Sequence, residues 1–182
     1  MPTQPSQYLV KLCSIMLKII RSLQDLDFRK LMDVYQEGNK ITGKEVYPNL
    51  SENLQILYAE QDFYAYLQTF FKEPTARYAV WVVNGRYVSA LRYESYNNDG
   101  LLVNALETMP TERNKGFATL LIRTVQDFLR SQGNGILYSH ISKDNMTSVK
   151  VHLSSGFQII SHEATYLDGA VRFDSYTLSV EY

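Results

Sequence analysis

The N-terminal part of the chain has the pattern of one strand followed by a helix. An apolar run predicts a strand over residues 14–23. Apolar residues at helical spacing then predict a helix over 25–39, which Asp25 or Asp27 can cap and Gly38 can end.

The pattern changes from helical to extended near residue 75. Ser51 is expected to cap a second helix over 52–72, and the polar stretch 59–62 could divide it in two. Alternating apolar residues then predict strands over 77–83 and 86–95, joined by an Asn-Gly turn of the kind that favours a hairpin.

The rest of the chain alternates between the two patterns. The predicted elements are a strand over 101–109, a helix over 115–131, a strand over 136–142, a helix over 145–155, and a final hairpin of 157–167 and 170–182. The order β-α-α-β-β-β-α-β-α-β-β predicts a mixed α/β (α+β) sheet flanked by helices. We expect a single domain over residues 14–182 and a partly disordered extension over 1–13.

Composition narrows the function classes. The 182 residues carry 18 Lys and Arg against 19 Asp and Glu, a net charge of −1. Because no basic excess exists, nucleic acid is not an expected partner.

Residues 8–20 are apolar but include Lys11 and Lys18, and the run is too short to span a bilayer. We therefore expect a cytoplasmic protein without a membrane partner.

Metal chemistry is not expected from the residue types available. Cys13 is the single cysteine, so neither an internal disulfide nor a cysteine cluster can form. The three histidines, His140, His152 and His162, lack the spacing of a zinc-binding helix. The sequence therefore predicts no metal site.

The stretch PTERNKGFATL, residues 110–120, carries the most specific chemistry. It leaves a strand, places Arg113 and Lys115 beside Gly116 and Ala118, and enters a helix at once. A helix N-terminus offers free backbone N–H groups and a positive dipole, and a glycine lets an anion approach the backbone closely. A pyrophosphate would fit, although a capped helix with a solvated basic turn explains the same residues equally well.

Two motifs in order make the chain resemble the GNAT superfamily of acetyl-CoA-dependent N-acetyltransferases. The strand-proline-Arg/Gln-x-x-Gly-x-Gly/Ala-helix motif of that family is similar to LETMPTERNKGFATLL. The Asn-x-x-Ala/Ser and Gly-Phe motif is similar to NMTSVKVHLSSGF, with Asn145, Ser148, Gly156 and Phe157 at the family's spacing. The resemblance implies a single-domain GNAT-type fold, mostly antiparallel, whose strands 101–109 and 136–142 are parallel and splay apart around acetyl-CoA.

The resemblance also implies which residues bind the cosubstrate. Backbone amides of residues 113–119 would hold the pyrophosphate, and the strand end would pair with the pantetheine arm. Asn145 would bond the cofactor near the pantetheine, although an N-cap of the next helix is an equally good interpretation. The implied cofactor-binding residues are Leu106, Thr108, Met109, Arg113, Asn114, Lys115, Gly116, Phe117, Ala118, Thr119 and Asn145.

Acetyl transfer needs groups that move protons. The acceptor ammonium, with a pKa of about 10.4, must lose a proton, and the leaving thiolate benefits from an acid. The family often has a tyrosine as that acid where this chain has His152, and some members have a glutamate base where this chain has His140. We expect His140 to take the amine proton and His152 to serve the thiolate, with Glu107 as an alternative base. An oxyanion donor is expected at the amide of Thr108 or Met109.

Several interpretations stay open at this point. Either histidine could instead be a satisfied core residue. The chain could be a non-catalytic acetyl-CoA-binding or scaffold protein of the same fold, or it could use another acyl donor. The acceptor is expected to be a small-molecule or peptide amine that the sequence does not identify. An exposed edge strand would also allow the chain to pair as a homodimer.

Overall fold

The computed structural model describes residues 15–96 and 100–182. The predicted extension over 1–13 lies outside this part of the chain, so that boundary stays a prediction. The α-helices of the described chain are α1 (Phe28–Val46), α2 (Glu52–Phe70), α3 (Phe117–Arg130) and α4 (Met146–Ser154). Its strands are β1 (Ile15–Ile20), β2 (Arg77–Val83), β3 (Arg86–Tyr96), β4 (Gly100–Thr108), β5 (Ile136–Ser142), β6 (Gln158–Ser161), β7 (Ala164–Thr165), β8 (Val171–Arg172) and β9 (Ser175–Glu181).

The described strands form one large mixed sheet and one small hairpin. The large sheet has the order β1-β2-β3-β4-β5-β9-β6, and β7 pairs with β8 separately. Strands β4 and β5 are parallel, whereas the other neighbouring pairs are antiparallel. The predicted sheet, mostly antiparallel with one parallel central pair, is therefore confirmed.

Helices cover both faces of the large sheet. Successive side chains of a strand point to opposite faces, and β2 divides its residues accordingly. Ala79 and Trp81 join a buried cluster with α3 and α4, while Tyr78 and Val80 join a second buried cluster with α1 and α2. The sheet therefore separates two apolar layers. A site between two of its strands can be lined by side chains from both layers.

Helix α1 is longer than predicted, because Gly38 does not end it. Asp27 caps the helix as expected, its carboxylate accepting the backbone N–H of Lys30 at 3.2 Å. The helix then continues through Gly38 and Gly43 to Val46. A Cβ atom on Gly43 would lie 2.4 Å from the carbonyl oxygen of Gln55 on α2. The close packing of two helices at this glycine explains why tertiary contact outweighs its low helix propensity.

Helix α2 runs without the predicted break at residues 59–62. Ala59 is buried, and the polar residues beside it have partners on α1 or just after it. Glu60 pairs with Arg29 at 3.6 Å, and Asp62 accepts a hydrogen bond from the hydroxyl of Tyr47. Polar residues that lie on the outer face of an amphipathic helix do not interrupt it.

The two strands of the C-terminal hairpin pair as predicted, but a second, smaller hairpin is inserted between them. β6 pairs with β9 antiparallel from Gln158 to Ser161 and contains an irregularity after Ile159. The chain then forms the β7–β8 hairpin around the predicted Asp168-Gly169 turn before it enters β9. The predicted strands 157–167 and 170–182 are therefore shorter than expected. β9 lies between β5 and β6, which leaves β6 as an edge strand.

Candidate active site

The parallel strands β4 and β5 pair only over their first residues. The paired residues run from Gly100 with Ile136 to Val103 with Ser139, and no later residue of β4 pairs with β5. Beyond this point Asn104 and His140 line a cavity of about 180 Å³ between the two strands. The predicted splay of the central strands is thus present.

A bulge in β4 lies where the strands separate. Ala90 of β3 is opposite Glu107 and Arg92 is opposite Asn104, so β4 has one more residue than β3 between these pairs. Within the extra segment Ala105 has a φ of 51°, which is uncommon for a residue with a side chain. A bulge bends its strand, which explains how β4 turns away from β5 at this position.

The loop after β4 reaches α3 through two left-handed residues. Asn114 has a φ of 62°, and Gly116 has a φ of 80° and forms the N-cap of α3. No atom of the described chain lies within 4 Å of a Cβ built on Gly116, so the space beside it is open. The amides of the first helical turn, from Phe117 to Thr119, have no carbonyl partner within the helix. Together with the helix dipole they offer an anion site.

A cleft of about 640 Å³ joins this loop to the strand ends and to α4. Most of the predicted cofactor-binding residues line it: Leu106, Thr108, Arg113, Asn114, Gly116, Phe117, Ala118, Thr119 and Asn145. Met109 and Lys115 do not line it. Met109 is buried, and Lys115 is exposed and paired with Glu112, which does line the cleft.

Both predicted cations already have carboxylate partners. Arg113 binds Glu37 of α1 at 2.6 Å and Glu107 at 3.1 Å, and its pKa is raised chiefly by its bond to Glu37. Lys115 binds Glu112 at 2.8 Å. The cleft therefore does not carry the free positive charge that the sequence suggested, so an anion there would have to be held mainly by backbone amides.

Helix α4 forms the opposite wall of the cleft. Asn145 is its N-cap, and the side-chain oxygen accepts the N–H of Ser148 at 3.0 Å. That confirms the capping interpretation of Asn145, while its role toward a cofactor stays a prediction. Asn145 and Ser148 line both the cleft and the smaller cavity, so they mark the junction between the two spaces.

His152 presents one nitrogen to the protein and leaves the other without a partner. The ring is 2% exposed and lines the smaller cavity. Its Nδ1 lies 2.8 Å from the carbonyl oxygen of Ser148, which can only accept, so the neutral ring carries its proton on Nδ1. Nε2 is buried, and no described atom hydrogen-bonds to it. Burial lowers the pKa of His152, so the ring is neutral at pH 7 and Nε2 is a proton acceptor.

His140 of β5 lines the same cavity. Its ring packs against Tyr96 and Tyr166, with ring centroids 5.3 and 5.0 Å away. Both ring nitrogens are buried, and neither forms a hydrogen bond within the described chain. Burial lowers the pKa of His140 as well, which keeps it neutral and able to accept a proton.

The geometry fits less well with Glu107 as an alternative base and with the amide of Thr108 or Met109 as the oxyanion donor. Glu107 lies in the larger cleft, where one carboxylate oxygen accepts from Arg113 and from the backbone N–H of Thr108. The N–H of Met109 donates to the carbonyl oxygen of Val88 at 2.9 Å. Both amides expected as oxyanion donors are therefore already bonded, which argues against that assignment.

Sequence reasoning missed several residues of the site. Glu112, Thr147 and Val151 line the cleft, and Asn104 and Ser142 line the smaller cavity. Thr147 and Val151 could have been found from helical spacing, because they share a face of α4 with Ser148. Asn104 and Ser142 face the cavity only because the two strands separate, which no local pattern indicates.

Two classes of site are not found in the described residues. None of the helices there is both long and apolar enough to cross a membrane. Within the same residues no group of three or more His, Cys, Asp or Glu side chains could hold a metal ion.

Comparison with known proteins places this geometry among acetyltransferases. The model of the acetyltransferase (GNAT) family matches residues 43–157. No curated protein sequence matches the chain significantly. The two motifs of this region and the fold class with its splayed strands agree with that family, so the predicted resemblance is confirmed.

Solved structures share the fold at low sequence identity. A variant of the spermidine N-acetyltransferase SpeG from Vibrio cholerae has a TM-score of 0.62 and 14% identity, covering 92% of this chain and 93% of that chain. PaiA N-acetyltransferase from Thermoplasma acidophilum, in complex with coenzyme A, has a TM-score of 0.61 and 12% identity, covering 92% and 99%. The N-acetyltransferase PseH from Campylobacter jejuni, in complex with acetyl-CoA, has a TM-score of 0.60 and 12% identity, covering 92% and 98%.

Proposed function

Because the chain belongs to the GNAT acetyltransferase family, we propose that it transfers an acetyl group from acetyl-CoA to a primary amine by direct attack of the amine on the thioester. The observation that carries this proposal is that the cleft at the N-terminus of α3 and the cavity at the two histidines are adjacent, with Leu106, Asn145 and Ser148 lining both. An anion site at Gly116 opens into the cleft, and the cleft meets the cavity lined by His140 and His152. A long cosubstrate with a phosphate end and a thioester end fits that order.

The backbone amides at the start of α3 would hold the pyrophosphate. Gly116 leaves the approach to these amides open, and Ala118 and Thr119 line the same wall. The strand end from Leu106 to Thr108 would pair with the pantetheine, and the Asn145 side-chain amide would bond near it. Acetyl-CoA would then place its thioester at the junction of cleft and cavity, near Leu106 and Ser148.

The two histidines would move separate protons. His140, neutral and without a hydrogen-bond partner in the described residues, would take the first proton from the acceptor ammonium and release it to solvent once the products have left. The amine nitrogen would then form its bond to the acetyl carbon and still carry one proton too many. His152 would take that second proton on Nε2, while Nδ1–H stays bonded to the Ser148 carbonyl.

His152 would then serve as the acid that the sequence suggested. The neutral ring has no proton on Nε2 to donate, so it can protonate the sulfur only after accepting a proton from the amine. When the carbon–sulfur bond breaks, the electron pair goes to sulfur and the Nε2 proton follows it. The products are an N-acetyl amine and the free thiol, and His152 is again neutral.

The acceptor is proposed as a small-molecule or peptide amine, and no nucleic acid or metal is needed. SpeG, which shares the fold, is named for spermidine, so a diamine or polyamine is a sensible first probe. Glu107 and Glu37 lie beside Arg113 on the α1 side of the cleft, where an amine would enter. The reaction as proposed takes place in the cytoplasm, where acetyl-CoA is available.

Calorimetric titration with acetyl-CoA tests the cofactor site. We expect micromolar binding by the wild type and none by Gly116→Glu, since the new carboxylate occupies and repels the pyrophosphate position. Gly169→Glu is the matched control, because Gly169 has a similar φ of 82° and open space but lies in the β7–β8 turn. This control should bind like the wild type. Absence of binding by the wild type would overturn the proposal.

An amine panel then tests transfer. Thiol release from acetyl-CoA should require both an amine and the wild-type protein. Tight binding of acetyl-CoA without turnover on any amine would instead favour a binding or scaffold protein. Mass spectrometry of the acceptor distinguishes acetyl transfer from simple thioester hydrolysis.

A further inference from the structure

A buried tyrosine of α1 holds the bulge in β4. The hydroxyl of Tyr35 donates a hydrogen bond to the carbonyl oxygen of Ala105, the left-handed residue of the bulge. The hydroxyl of Tyr78 on β2 in turn donates to that of Tyr35 at 3.0 Å. A chain of two hydroxyls therefore ends on one peptide group of β4.

The two tyrosines are enclosed by the core, where Arg92 is a further polar neighbour of Tyr78. Both lie in the apolar layer between the sheet and helices α1 and α2, and Tyr35 packs against Phe63 and Tyr78 with ring centroids 5.2 and 6.4 Å away. Burial raises the pKa of Tyr35 well above its usual value, so its hydroxyl stays protonated and keeps donating. An unpartnered hydroxyl in this layer would be costly, and the Ala105 carbonyl supplies the acceptor.

The direction of that carbonyl determines the direction of the next amide. In a trans peptide the C=O and N–H groups point opposite ways, and the described chain has no cis peptide bond. Because Tyr35 holds the Ala105 carbonyl toward α1, the N–H of Leu106 points away from α1. Leu106 lines both the cleft and the smaller cavity, at the junction where the thioester is expected.

We propose that Tyr35, supported by Tyr78, is a positioning residue that aims the Leu106 amide at the thioester carbonyl, where the amide stabilises the oxyanion. The inference rests on the proposed function and adds the residue that orients its oxyanion donor. It also replaces the amides of Thr108 and Met109, which are bonded within the protein. The Tyr35 hydroxyl, on the α1 face of the sheet, thus orients the Leu106 amide, which acts between the separated strands β4 and β5.

The test is infrared difference spectroscopy with acetyl-CoA carrying carbon-13 at the thioester carbonyl, which needs no acceptor amine. A carbonyl that accepts a hydrogen bond absorbs at lower frequency, so we expect a red-shifted band on the wild type. Tyr35→Phe keeps the ring and removes the hydroxyl. It should lose most of the red shift while the calorimetric Kd for acetyl-CoA stays close to the wild-type value.

Tyr87→Phe is the matched control. Tyr87 is buried in the same apolar layer, and its hydroxyl accepts from the backbone of Asp27 rather than from β4. It should keep the full red shift, even if both variants lose thermal stability to the same extent. With an amine that the wild type acetylates, Tyr35→Phe should also lower kcat by about tenfold or more, as misdirecting an oxyanion donor does.

Tyr78→Phe keeps the proposal testable if Tyr35→Phe does not fold. It removes only the bond into the Tyr35 hydroxyl, so a partial loss of the red shift is expected. A wild-type band without a shift, or equal shifts in Tyr35→Phe, Tyr78→Phe and Tyr87→Phe, would overturn the positioning role while acetyl-CoA binding persists. Failure of the wild type to bind acetyl-CoA would instead overturn the proposed function itself.

Discussion

The Nδ1 atom of His152 lies 2.8 Å from the carbonyl oxygen of Ser148, one turn earlier in the same helix. This single contact determines the tautomer of the ring, because a carbonyl oxygen accepts and cannot donate. Nε2 is then the bare nitrogen, and it is the one that is buried beside the cavity without a described partner. The side chain that the sequence suggested as an acid is thus a proton acceptor in its resting form.

Replacing His152 tests this assignment. His152→Gln keeps a polar side chain of similar size but cannot take a proton, so we expect kcat to fall by about 100-fold while acetyl-CoA binding is retained. Steady-state kinetics and calorimetry check the two parts. A variant as active as the wild type would show that a water or another group carries the proton.

The pH dependence of activity should follow the same group. His152 must be neutral to accept a proton, and burial lowers its pKa below the usual 6.5. Activity should therefore fall on acidification with an apparent pKa below 6.5, measured as the pH profile of kcat. His140→Gln measures how much His140 contributes to the same pH dependence, because burial also lowers the pKa of His140. An acid limb above the usual histidine value would contradict the buried neutral state.

Burial of His152 should also appear in the stability of the fold. The unfolded chain protonates this histidine as the pH falls through about 6.5, whereas the folded state keeps it neutral to a lower pH. The unfolded state then binds more protons, so the free energy of unfolding falls on acidification in this window. Urea denaturation at several pH values should show a shallower decline for His152→Gln than for the wild type. Parallel declines would mean that the folded ring protonates as readily as a free one.

Glu112 should weaken cosubstrate binding by holding Lys115. The two side chains form an ion pair at 2.8 Å beside the proposed anion site. Glu112→Gln removes a negative charge from the cleft and frees the cation, so we expect the Kd for coenzyme A to tighten by about two- to fivefold at low salt. Asp127→Asn is the control, because Asp127 pairs with Arg130 on the far end of α3. Equal effects of the two substitutions would point to net charge alone.

Two glycines of α1 should respond oppositely to the same substitution. Gly43→Ala would place a methyl group 2.4 Å from the backbone of α2, so the helices must separate, at a cost of about 1–3 kcal/mol. Gly38→Ala meets no atom within 4 Å and should stabilise the helix by about 0.5–1 kcal/mol. Chemical denaturation measures both changes. Equal signs would contradict the close packing of α1 against α2.

Much of the architecture follows from local pattern. Helical or alternating apolar spacing identified the main strands and the four described α-helices, and Asn84-Gly85 and Asp168-Gly169 marked two of the turns. Predicted element boundaries were wrong where a tertiary contact outweighed the local sequence preference. Gly38 was expected to end α1, but the packing of Gly43 against Gln55 makes the longer helix favourable. The final hairpin contains the separate β7–β8 hairpin, which the uniform apolar pattern of its two predicted strands did not indicate.

For the candidate site, too, some features were predictable from the sequence and others required the structure. Residues 110–120 and the Asn145 motif identified the family and the cleft, because the amides of a helix N-terminus, the proposed anion site, are close in sequence. Partnerships between distant residues required the fold. Whether Arg113 is free or bound to Glu37, and how Tyr35 meets Ala105, depend on side chains that many residues separate. Only packing brings those groups into contact, so the sequence determined the type of chemistry and the tertiary structure decided which atoms are placed to perform it.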